Sequence, residues 1–206
     1  MALASWYKSF SELSRSEREG VSYQRKLANR QSRFAIIAPH GGGIEPGTSE
    51  ITKAIAGTQF SYYTFDGIRQ EGNELLHITS TLFDEPKCLK MVSDSEIVIA
   101  IHGCAGTEEF MYLGGLHSEL KTTLFIELAK AGFDARLTES TYAGTQLQNI
   151  CNRGQLGRGV QLEISEGLRR AMFQKFDRPG RKITTDVFQK FVSSVRSALV
   201  SAGVRK

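Results

Sequence analysis

FAIIAPHGGGIEPGTSE, residues 34–50, sets out a strand, a turn and the start of a helix in seventeen letters. The continuous apolar run over 34–38 reads as a central strand covered on both faces. A glycine-rich turn follows, and Thr48 or Ser49 is a natural cap for a helix that stops at Gly57. Ile51, Ala54 and Ile55 fall on one face of that helix. IVIAIHG, residues 97–103, repeats the first half of the device, since another apolar strand ends in histidine and glycine. Units of this kind build open α/β sheets, which gather ligands at the carboxyl ends of their strands. His40 and His102 are therefore placed where such a fold does its chemistry.

Working outward, further strands are expected at 60–65, 75–79, 135–139 and 160–164. A helix starting at Ser118 aligns Leu120, Leu124 and Leu128 and stops at Gly132. Another, over 185–202, aligns Phe188, Phe191, Val192, Val195 and Leu199. The expectation is one α/β domain over residues 1–206, with a helical lead-in over 1–30. Its sheet is a single, mixed, mostly parallel open sheet with helices on both faces.

No apolar run approaches the roughly 18 residues of a membrane-spanning helix, so no membrane partner is expected. MALASWYKSFSELSRSEREG, the first twenty residues, has no signal-peptide core, which implies synthesis in the cytoplasm. Cys88, Cys104 and Cys151 are odd in number and form no CxxC pair, as in a reducing compartment, and read as small buried residues. The net charge of +4 hides a gradient. Residues 34–150 hold 7 Lys/Arg against 15 Asp/Glu, whereas residues 151–206 hold 12 against 4. A basic carboxyl-terminal quarter is the footprint of a polyanionic partner or simply a solvated face.

The turn over 41–47 has two readings, a phosphate cradle or a metal loop. It lacks GK[ST], Pro46 stands where the last glycine of GxGxxG belongs, and Glu45 would repel phosphate. The metal reading uses each residue: the glycines let the chain curl, and Pro46 holds Glu45 extended. With His102, a histidine ending an apolar strand, His40 and Glu45 make a His2Glu set with an open fourth position, the pattern of catalytic zinc. Such a site needs a proton carrier, and Glu163 in GVQLEIS is the candidate, sharing a face with Gln161. Just upstream, Asn152 and Arg153 suit the grip of a carboxylate, and Arg158 the stabilising of a developing oxyanion. His77 reads as a core histidine inside a strand, and His117 as a helix-terminal residue.

PHGGGIEPGTSEITKAIAG (39–57), LHITSTLFDEP (76–86), YLGGL (112–116) and NICNRGQLGRGVQLEIS (149–165) resemble the phage-type poly-γ-glutamate hydrolase family. The likeness runs from about Gly20 to the carboxyl-terminal helix. It implies a carboxypeptidase-like α/β fold and a zinc hydrolase that cuts the γ-glutamyl amide bonds of poly-γ-glutamate, a polymer of bacterial capsules and slimes. It also implies one zinc ion per chain held by His40, Glu45 and His102, with Glu163 as general base and acid. Arg153 and Asn152 would bind a substrate carboxylate, in a groove with Arg158, Arg169 and Arg170. The first two ligands depart from the carboxypeptidases, with H-x4-E in place of H-x2-E. Such an enzyme is expected to be a monomer that acts outside the cell after host lysis. Two other readings remain: a polyanion- or nucleic-acid-binding phage protein with a non-catalytic metal site, and a deacylase of small N-acyl or γ-glutamyl amino acids. No helix-turn-helix, zinc-finger spacing or aromatic–basic stripe supports nucleic acid as a partner.

Overall fold

The computed structural model describes residues 6–204. Its elements run α1 (Phe10–Ser16), β1 (Tyr23–Ala28), β2 (Phe34–Gly42), α2 (Thr48–Ala56), β3 (Ser61–Gly67), α3 (Pro86–Asp94), β4 (Ile97–Cys104), β5 (Phe110–Gly114), α4 (Ser118–Lys130), β6 (Asp134–Leu137), β7 (Val160–Ser165), α5 (Glu166–Ala171) and α6 (Asp186–Val204). Seven strands form one sheet in the order β1-β3-β2-β4-β7-β5-β6. The pairings within β3-β2-β4-β7 are parallel, β5 runs antiparallel to β7 and parallel to β6, and β1 closes the other edge antiparallel to β3. The sheet is thus mixed and mostly parallel.

Alternation along the central strands decides which core each side chain joins. Ile36, Ile99, Ile101, Leu162 and Ile164 face α2, α4, α5 and α6, packing against Ile51, Leu120, Leu124, Leu168 and Phe191. Ala35, Ile37, Val98 and Ala100 face the opposite way, toward Leu13, Leu76, Phe83, Cys88 and Met91 around α1 and α3. Both faces are covered, which is why β2 and β4 carry uninterrupted apolar runs.

Several elements depart from expectation. Residues 75–79 are not a strand: a 3-10 turn at Asn73–Leu76 follows Gly72, whose left-handed backbone (φ 73°) starts the turn, and His77 comes after it. The apolar letters LLHI pack Leu76 and Ile78 into the core without any sheet pairing. The lead-in is helical only over α1, because YQRKLA forms edge strand β1. α3, β5 and α5 were not expected. Glu85 caps α3 through the Lys87 and Cys88 N–H groups, with Pro86 in its first turn. All three cysteines are free and buried.

Candidate metal and catalytic centre

β2 and β4 pair only as far as Ile37 and Ala100, and a register shift between Ala38 and Gly41 turns the end of β2 aside. From β2 the chain passes through α2 to β3 on one side, while β4 lies on the other. The crevice between β2 and β4 is therefore a topological switch point, where carboxyl ends of parallel strands leave room for a ligand. His40 and His102 line it from either side. Gly42, at φ 67°, starts the turn beyond His40, and Gly41 leaves room that a Cβ would fill, only 2.5 Å from the Asp66 carboxylate. The chain curls back so that the Glu45 N–H reaches the His40 carbonyl at 2.9 Å.

The donor atoms converge. His40 Nδ1 lies 3.1 Å from Glu45 Oε1 and 3.2 Å from His102 Nδ1, and His102 Nδ1 lies 3.6 Å from Glu45 Oε2. Tetrahedral zinc with ligands at about 2.0–2.1 Å sets neighbouring donors about 3.3–3.4 Å apart. The two imidazole nitrogens and the two carboxylate oxygens thus lie at about the spacing that neighbouring zinc ligands take. Outer contacts fix the rings as a metal site requires. His40 Nε2 is 2.7 Å from the Ile78 carbonyl, which only accepts, so in the neutral ring the Nδ1 lone pair points into the cluster. Ser80 Oγ holds His102 Nε2 at 3.3 Å, and the Gly103 N–H donates to Glu45 Oε2 at 2.9 Å.

His77 offers a second combination. Its ring lies 4.0 Å from that of His40, and the donor atoms of His40, Glu45 and His77 fall within 4.8 Å of one another. Two residues are common to both sets, and the shorter contacts favour His102 as the third. His77 lines the cavity rather than the interior of a strand, and burial with the neighbouring His40 charge pushes its pKa down to about 3. For Glu45, burial would raise the carboxyl pKa, but the neighbouring His40 and His102 hold it well below the carboxylate range.

Glu163 stands beside this cluster. It pairs with His102 across β4 and β7, and its strand neighbour Gln161 donates to it at 3.3 Å. Burial, with the charge of Glu45 adding to it, pushes the Glu163 carboxyl up to about 7 against the pull of His102 and Arg169. A carboxyl poised there can both take and give a proton near neutrality. His40, Glu45, His102 and Glu163 share a cavity of about 670 Å³ with Ser80, Tyr142, Gln161, Arg169 and Arg170. Cys104 also lines it, its Sγ 3.5 Å from the Glu163 carbonyl and its pKa pushed up by burial to about 11, so it is an inert thiol rather than a nucleophile.

The structure does not bring the expected carboxylate grip to this cavity. Asn152 is buried and holds four backbone groups: the Leu116 and Gly159 N–H groups and the Gly144 and Gln146 carbonyls. Arg153 donates to the Phe83 carbonyl at 3.2 Å. Arg158 lines a different cavity, with Arg33, His117 and the first turn of α4. None of the three lines the cavity that holds His40, Glu45, His102 and Glu163, although Asn149 of the same segment does. Of the anticipated basic groove only Arg169 and Arg170 reach the site. Sequence reasoning missed Ser80 and Tyr142, and named Gln161 only as sharing a face with Glu163. Tyr142 gives the clearest structural signal, a non-glycine residue at φ 62° on the rim.

Comparison with known proteins resolves the family. Residues 7–194 match the poly-γ-glutamate hydrolase family model. The chain belongs to the poly-γ-glutamate hydrolase family. A bacteriophage poly-γ-glutamate hydrolase structure superimposes with a TM-score of 0.96 at 32% identity, covering 98% of this chain and all of that one. The zinc-free structure of YndL gives 0.92 at 35% identity, covering 97% of this chain and 99% of that one. The SPβ prophage-derived protein YoqZ of Bacillus subtilis (strain 168) is 40% identical over 91% of this chain and 69% of its own length. An N-formylglutamate amidohydrolase from Ralstonia eutropha JMP134, at 10% identity and a TM-score of 0.57, covers 89% of this chain and 98% of its own and shares the fold alone.

Proposed function

We propose that this member of the poly-γ-glutamate hydrolase family is a monomeric, zinc-dependent enzyme that cleaves the γ-glutamyl amide bonds of poly-γ-glutamate. The observation that carries the reading is the meeting of His40, Glu45 and His102 at zinc-ligand spacing, with a neutral-range carboxyl beside them on the floor of an open cavity. One zinc ion per chain would be held by those three residues. When bound it supplies Lewis acidity and a water acidified to a pKa of about 7.

The residues of the chain supply the rest. Glu163 takes the proton of the attacking water on its carboxylate and passes it to the departing amine nitrogen, so that it ends as it began. Burial of His40, Glu45 and His102 excludes bulk water from the ligand set. Arg170, exposed at the rim over the Phe176 ring, offers a positive charge to the free α-carboxylates of the polymer. Poly-γ-glutamate carries one such carboxylate per residue, so attraction weakens as salt rises. The polymer is reached outside the producing cell, after lysis.

The test is to follow polymer length while metal is removed and returned. Dialysis against a chelator is expected to abolish shortening of poly-γ-glutamate, and one equivalent of zinc per chain to restore it. Full activity in fully demetallated protein would overturn the reading.

A further inference from the structure

Arg169 is unlike the other arginines of the site. It is buried to 95%, and its three nitrogens bond to backbone carbonyls rather than to a carboxylate. Nε donates to the Ile164 carbonyl at 3.0 Å, Nη1 to the Pro46 carbonyl at 2.6 Å and Nη2 to the Cys104 carbonyl at 3.1 Å. Pro46 follows Glu45, Cys104 comes two residues after His102, and Ile164 follows Glu163. Cys104 and Ile164 sit at the last pairings of β4 with β7, and Pro46 lies in the turn beyond β2, where buried carbonyls need donors. A planar guanidinium with five N–H groups can serve three of them at once, which an ammonium on a flexible stem cannot do in fixed directions.

Gly103 bears on the same contact. A Cβ at that position would lie 2.6 Å from Arg169 Cζ and 2.8 Å from Nε, so the absent side chain is what lets the guanidinium lie against β4.

We propose that Arg169 is a positioning residue, a single guanidinium that clamps the three chain segments carrying Glu45, His102 and Glu163 into one register. It touches neither metal nor reacting atoms. Its role is to set the donor spacing to which zinc binds and the distance from Glu163 to that site, and the proposal rests on the zinc-hydrolase reading above.

The experiment compares Arg169→Lys with wild type and with Leu124→Ala, a core truncation remote from the clamp that lowers Tm by packing loss alone. Zinc affinity is read by competition with a chelating dye, and kcat and KM on poly-γ-glutamate are read separately. Arg169→Lys is expected to bind zinc about tenfold to a hundredfold more weakly, as losses in the outer shell of a metal site do. Its zinc-saturated kcat falls while KM holds, and Leu124→Ala keeps both zinc affinity and kcat. Gly103→Ala, which pushes the guanidinium from its seat without removing it, is expected to reproduce the zinc loss and serves if Arg169→Lys does not fold. Wild-type zinc affinity in Arg169→Lys or Gly103→Ala, or an equal loss in Leu124→Ala at the same Tm decrement, overturns the clamp. Failure of wild type itself to take up zinc overturns the parent reading instead, so the two failures are distinct.

Discussion

Two arginine-bearing segments flank β7, and their arginines do opposite things. NICNRGQLGRG leads into the strand, and EGLRR leaves it. The leading segment is the richer in polar and cationic letters, yet its Asn152 and Arg153 are spent on backbone groups and its Arg158 lies in another cavity. The trailing segment delivers Arg169 and Arg170 to the His40–Glu45–His102 cluster. The difference lies in direction. A parallel strand puts its amino end on one side of the molecule and its carboxyl end on the other, so residues a few positions apart across it end far apart in function.

The comparison can be broken in order of effect. Glu163→Gln, at the trailing half of β7, is expected to cut kcat by about 10²–10⁴-fold while retaining zinc. Rapid-quench or size-profile assays with metal analysis check this, and a zinc-replete variant of undiminished rate would remove Glu163 from the mechanism. On the leading side, Asn152→Ala is expected to act on folding instead. Four backbone groups lose their partner, at a cost of about 2–4 kcal/mol, visible in the urea midpoint with KM unchanged. A raised KM at unaltered stability would return Asn152 to the substrate.

A smaller contrast comes from the two exposed arginines. Arg170→Ala should raise KM several-fold at low ionic strength and much less at high salt, whereas Arg158→Ala should leave KM alone under both conditions. Equal effects would erase the distinction between the two segments. The smallest effect concerns His117, which caps α4 by accepting the Leu120 N–H on Nδ1 at 3.4 Å. Burial, with the Arg158 charge adding to it, holds its pKa below the ordinary 6.5. A lowered folded pKa means that the unfolded chain binds the extra proton first. The contribution to stability is complete above about pH 6.5 and is lost as pH falls from there through the folded pKa. His117→Asn, which caps without titrating, should flatten the drop in Tm between pH 7 and pH 5 relative to wild type.

Much of this centre was legible in the chain. Two apolar strands ending in histidine and glycine, with a glutamate returned by a glycine turn, are local patterns, and the structure does bring His40, Glu45 and His102 together. Glu163 was legible because alternation in VQLEIS puts it on the face opposite Val160, Leu162 and Ile164. His77 was not, because ELLHIT has the composition of a strand, and only the left-handed Gly72 and the packing of Leu76 and Ile78 make it a turn. β1 was hidden by its polar letters, which suit an edge strand and show no core period. Arg153 and Arg158 were misplaced for a different reason. Guanidinium chemistry can be read from letters, but which end of β7 faces the ligand depends on where β2, β4 and β7 lie in the sheet.

The three free thiols have a practical consequence. Burial raises the pKa of Cys104 to about 11 and of Cys151 to about 12, and that of Cys88 well above its usual value, so each stays protonated and slow to oxidise. With no covalent cross-link to form or lose, the folded chain is indifferent to redox potential. Refolding is therefore expected to reach the same Tm with and without reductant.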